Sequence, residues 1–69
     1  MNYDYSKLQG RIREQGFTQE QLAAQIPMDR SVLSLKLNNK RTFRMKEIER
    51  ICQILSIPLE SIGEYFFAH

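Results

Sequence analysis

The sequence predicts an all-α fold: a compact bundle of five short helices in a single domain over residues 1–69. Apolar residues recur at the three-to-four-residue spacing of a helix and nowhere sustain strict alternation. Gly16, Thr18, Pro27, Asp29 and Pro58 supply start and stop signals between the periodic stretches. Connections of about two to six residues suit antiparallel helix packing.

The first helix is expected over Tyr5–Gln15, with Asp4 or Ser6 as its cap and Tyr5, Leu8 and Ile12 inward. Gly16 ends it where a left-handed residue closes a helix. The second opens on Thr18, because Thr18-x-x-Gln21 has capping-box spacing, and it buries Leu22, Ala23 and Ile26. Pro27 stops it, since the residue before a proline is pushed away from the α region. Asp29 is placed to cap a third helix, Arg30–Asn38, with Leu33 and Leu37 inside and Val32 at the margin. A polar loop, Asn39–Arg44, carries Phe43 as an inward anchor. The fourth helix, Met45–Leu55, is expected to bury Met45, Ile48, Ile51, Cys52 and Leu55. Pro58 begins a fifth that buries Leu59, Ile62 and Phe66.

A chain of this size buries only about 60% of its unfolded surface, so its core must be efficient or assisted. Cys52 is the one cysteine, which excludes an intrachain disulfide, and no Cys/His cluster offers a metal site. The first ten residues lack the apolar run of a secretory signal, and no stretch approaches the ~20 apolar residues of a membrane span. The expectation is a cytoplasmic protein, with no membrane, no cofactor and no small-molecule substrate.

Charge is unevenly spread. Residues 30–46 hold six of the ten basic residues and no acid, giving +6, whereas 1–29 sum to −1 and 47–69 to −3. A local cationic patch is the electrostatic footprint of a polyanion partner, and a whole-chain charge of +2 conceals it.

The third helix lies inside that patch. At about 100° per residue, Leu33 and Leu37 fall on one side and Ser31, Ser34, Leu35 and Asn38 on the other. The outer face thus carries short hydroxyls, an amide and one apolar side chain, flanked by Arg30 and Lys36. Small polar groups bordered by cations can enter a major groove and read base edges.

The segment TQEQLAAQIPMDRSVLSLKLNNKR resembles the helix-turn-helix of lambda-repressor-like proteins, the Cro and phage-repressor type or XRE family. The likeness covers about residues 6–66, and it implies a five-helix DNA-binding domain. It further implies that Gln19 touches a phosphate and braces the third helix. Arg30, Ser31 and Leu35 would face bases with Ser34 close by, and Asn38, Lys40 and Arg41 would contact the DNA backbone. Arg44 and Lys46 extend the basic strip. Four positions depart from the family pattern. Pro27 and Asn39 stand where Gly is frequent, Lys36 where an apolar residue is common, and Leu35 where Arg or Gln is common. The last departure implies weaker sequence readout.

These features also have plainer explanations. Gln19 suits any first helical turn, Arg30 and Lys36 could be solvated charges, and Leu35 could belong to a protein interface. Cys52 fits a core filler. His69 is expected to be disordered. Glu60 and Glu64 form a solvated face, and no Ser/His/Asp arrangement or glycine-rich loop points to an enzyme. Tyr65 and Phe67 lie off the inward stripe of the last helix; they either wrap back on helix one or form a two-fold dimer interface.

The resulting expectation is a transcriptional regulator of Cro or repressor type, from a phage or prophage. It would bind a palindromic double-stranded DNA operator as a homodimer, with half-sites about 34 Å apart. The alternative is a protein-interaction module on the same fold, an antirepressor or antitoxin-like partner.

Overall fold

The computed structural model describes residues 2–69. Its helices are α1 (Ser6–Glu14), α2 (Gln19–Gln25), α3 (Arg30–Leu37), α4 (Met45–Leu55) and α5 (Ile62–Phe66). No strand occurs among the described residues. The expected fifth helix is split, because Pro58 opens a single 3₁₀ turn, Leu59–Ser61, and only then does α5 begin.

Local chemistry explains most boundaries. At the start of α1, Asp4 Oδ1 accepts the Ser6 amide at 2.9 Å and the Ser6 hydroxyl at 2.6 Å. These two bonds hold the Asp4 carboxyl below the usual carboxylate range. Gly16, at φ +81°, closes α1: its own amide donates to Arg13 and the Phe17 amide reaches back to Ile12. Thr18 and Gln21 exchange both bonds of the capping box, at 3.0 and 3.1 Å.

Two local expectations fail. Ile26 keeps right-handed helical angles (φ −70°, ψ −35°) ahead of Pro27, through a cis peptide bond. Asp29 holds the position before α3 with an extended backbone, yet its side chain makes no capping hydrogen bond.

The core gathers one stripe from each helix: Leu8 and Ile12; Leu22 and Ala23, joined by Ile26; Leu33 and Leu37; Ile48, Ile51, Cys52 and Leu55; and Phe66. Ile57 and Tyr5 complete it from connecting segments. Burial raises the Cys52 thiol above its ordinary range, as suits a filler rather than a nucleophile. A chain of aromatic edges crosses one end of the bundle. Tyr5 meets Phe43 at 5.5 Å and Phe43 meets Phe66 at 5.4 Å, both nearly perpendicular.

Three core assignments are corrected. Met45, first in α4, is 56% exposed, and Leu59 is 62% exposed because the 3₁₀ turn rotates it outward. Lys36 is only 5% exposed; it belongs to the interior, not to the solvent-facing border of α3.

The chain ends close on each other. The Asp4 amide donates to the Ala68 carbonyl at 2.7 Å, while Tyr3 packs against Phe67 at 5.5 Å and His69 at 5.3 Å. Lys7 of α1 bonds Glu64 at 2.8 Å and lies 5.1 Å from the Tyr65 ring centre. The tail therefore wraps back on the N-terminal segment, with the exposed His69 ring beside that of Tyr3. Phe67 remains 42% exposed at the edge of this cluster.

Candidate nucleic-acid interface

The site is built by α2, α3 and the loop that follows. After α2, the Ile26 amide (3.2 Å) and the Met28 amide (2.7 Å) both return to the Ala23 carbonyl. Arg50 Nε on α4 donates to the Gln25 carbonyl at 3.1 Å, satisfying a helix-end acceptor and anchoring the turn. The apolar stripe Leu33–Leu37 then seats α3 with its opposite side outward.

That outward side has the predicted composition. Arg30, Ser31 and Asn38 are exposed, Leu35 is 38% exposed, and Ser34 is half-buried. Gln19 is half-buried at the start of α2, where it lines one open hollow with Thr18, Glu20 and Arg30. Gln19 and Arg30, the first residue of α3, thus border the same hollow. Glu20, an acid outside the basic strip, also lines this hollow but forms no ion pair with Arg30.

The end of α3 is closed by Asn39. Its φ is +62°, its amide donates to Lys36 and the Lys40 amide reaches back to Leu35. This is the arrangement a glycine would adopt, and asparagine tolerates it. Asn38 spends one amide hydrogen on the Ser34 carbonyl, at 2.8 Å. The same nitrogen reaches the Ser34 hydroxyl at 3.4 Å, which leaves the Asn38 carbonyl oxygen as the side chain's open polar group.

The cations divide into two groups. Lys7, Arg11, Lys36 and Arg50 are engaged inside the molecule. Arg11 donates to the Leu55 carbonyl at 3.0 Å and the Ser56 carbonyl at 3.1 Å, capping α4 where Ser56 turns left-handed at φ +55°. Lys36 donates to Glu47 Oε1, the oxygen that also accepts the Arg44 amide at 2.8 Å. Burial alone would raise the Glu47 carboxyl; the Arg44 amide and the Lys36 ammonium outweigh it and hold the group below the usual glutamate value.

Arg30, Lys40, Arg41, Arg44 and Lys46 are exposed and form no ion pair among the described residues. Lys36, Arg41, Thr42 and Arg44 line an open hollow of about 330 Å³. Of the six basic residues in the strip, five face solvent and one is structural. Sequence reasoning missed Arg13, another exposed unpaired cation on α1, because it lies outside the strip. It also missed the side-chain role of Asn39, whose signal was an amide where glycine is frequent.

A family model described as protein of unknown function (DUF739) matches residues 1–69. The chain belongs to that family. No curated protein matches it. The DUF739 chain is similar to the solution structure of the modulator of repression (MOR) of the temperate bacteriophage TP901-1 from Lactococcus lactis. The TM-score is 0.81 at 39% identity, over 97% of this chain and 90% of that one. The helical architecture is therefore shared with a phage regulator. The likeness to Cro-type repressors still rests on the sequence pattern of about residues 6–66.

Proposed function

We propose that this DUF739 protein is a phage-type regulator of repression that engages double-stranded DNA through the outer face of α3. The observation that carries the reading is the surface running from Arg30 through Ser31 and Leu35 to Lys40, Arg41 and Arg44. It combines solvent-facing groups that suit base edges with cations that form no ion pair among the described residues. The similarity to a protein named for modulating repression supports the biological setting. Ser31 and Arg30 would read bases, with Ser34 and Leu35 beside them, Leu35 packing on a thymine methyl. Gln19, Asn38, Lys40, Arg41 and Arg44 would hold the phosphates. Two copies would occupy a palindrome, with no catalysis and no cofactor.

A second reading has its own support. Leu35 is an exposed apolar side chain at the centre of α3, and a modulator can act on a repressor rather than on an operator. On this reading the same face docks a protein partner, and the cations meet acidic side chains instead of phosphates.

Selection of bound sequences from a random duplex pool, followed by salt titration, separates the two. DNA recognition predicts a recovered palindrome and affinity that falls log-linearly with salt at a slope of about −0.9 per phosphate neutralised. Equal, weak binding to every duplex would reject the operator reading and leave the protein-docking one.

A further inference from the structure

Asn39 holds both polar groups of one peptide residue at the far end of the chain. Its Oδ1 accepts the Tyr3 amide at 2.8 Å, and its Nδ2 donates to the Tyr3 carbonyl at 2.9 Å. The two bonds form a closed clamp across thirty-six positions of sequence. On one side it grips a strap, residues 2–5, which is also held by the Asp4–Ala68 backbone bond and by the rings of Phe67 and His69. On the other side lies the residue that ends α3 and immediately precedes Lys40 and Arg41.

Conformation alone does not call for asparagine here. A left-handed φ of +62° is met as well or better by glycine, which carries no Cβ penalty. What glycine cannot supply is the carboxamide. Both of its heteroatoms are spent on the strap, and the partly buried site excludes much of the water that would otherwise compete. The loop it steadies, Asn39–Arg44, has few other ties: Phe43 in the aromatic chain, the Arg44 amide on Glu47, and the Lys40 amide on Leu35.

We infer that Asn39 is a positioning residue: its side chain locks the N-terminal strap to the loop after α3 and presents Lys40 and Arg41 in a fixed place. The inference rests on the DNA-binding reading for its functional consequence, not for the clamp itself. A phosphate contact made by a preordered loop avoids the entropic cost of ordering that loop on binding. The strap thereby becomes part of the interface without touching the ligand.

The test compares Asn39→Gly with Asn39→Ala in the full chain, by amide hydrogen exchange, thermal unfolding and duplex affinity. If Asn39 serves only its backbone angle, Asn39→Gly matches the parent in every readout and only Asn39→Ala suffers. The clamp predicts instead that Asn39→Gly keeps the unfolding midpoint within a few degrees while the hydrogen-bonded Tyr3 and Lys40 amides exchange about tenfold faster or more. It also predicts duplex binding about three- to tenfold weaker with an unchanged salt slope, since the phosphate contacts are still made. Parent-like exchange at Tyr3 and Lys40 in Asn39→Gly would overturn the inference. Faster exchange with no duplex binding even by the parent would reject the DNA reading and leave the clamp intact.

Discussion

The ammonium of Lys36 on α3 is bonded to Oε1 of Glu47 on α4, in a position where Lys36 is almost wholly enclosed. One carboxylate oxygen thus fixes the spacing of two helices and, through the Arg44 amide, also caps the first turn of α4. Separating the charge partners is costly in a way that replacing the lysine by an apolar chain is not, because an unpaired ion stays buried.

That asymmetry is measurable by denaturant unfolding. Glu47→Ala strands the Lys36 ammonium and removes the cap on Arg44, and it should destabilise by about 2–4 kcal/mol. Lys36→Met keeps the volume and straight chain of the lysine stem while Glu47 retains the Arg44 amide and partial solvent. It should cost less than about 1 kcal/mol. Equal losses in the two variants would show that the pair is not enclosed as described.

The same carboxylate carries a pH dependence. Its folded pKa is depressed, so as pH falls the unfolded chain takes up the proton first. The stabilisation is complete above the ordinary glutamate value and is lost as pH drops through the lower folded one. In Glu47→Gln that part of the acid-side decline should be missing, with the curves of stability against pH converging in acid. Parallel curves for the parent and the variant would refute the linkage.

Two arginines on α1 are expected to differ sharply. Arg11 closes the carbonyl end of α4 through Leu55 and Ser56, and Arg11→Ala should cost about 1–2 kcal/mol in thermal or chemical unfolding. Arg13 is exposed and forms no ion pair among the described residues, so Arg13→Ala should stay within about 0.5 kcal/mol of the parent.

Binding should separate the basic strip residue by residue. Lys40→Ala and Arg41→Ala are each expected to lower the magnitude of the log-salt slope by about 0.9 on duplex DNA. Lys36→Met should leave both slope and affinity near the parent, because its charge is already spent on Glu47. Leu35→Ala should hold stability within about 0.5 kcal/mol while altering either base preference or partner binding. A Lys36→Met variant that loses a full phosphate contact would contradict the assignment of that lysine to the interior.

Helical stripes were legible wherever the apolar period was long enough to define a face. Leu8 and Ile12, Leu22 and Ala23, Leu33 and Leu37, and the Ile48–Leu55 series are buried as their spacing demands. Caps with reciprocal side chains were equally legible: Thr18 and Gln21 exchange their bonds as the motif requires. Met45 and Leu59 were misplaced because each stands at an element's first position, where the period offers no neighbours on one side and the entering chain sets the rotation. Asp29 was assigned from residue preference, which states what a side chain can do at a helix start and not which rotamer it takes.

The amino-acid pattern alone determined that five short helices form, which stripes they bury, and that cations concentrate in residues 30–46, because these follow from local periodicity and composition. Only the tertiary structure decided which of those cations are free. Glu47 lies outside the strip in sequence, yet packing brings it onto Lys36, while Arg30 has no ion-pair partner among the described residues. Packing also joined Asn39 to Tyr3. Pairing of charges and amides depends on distances between elements, and a linear count of residues contains none of those distances.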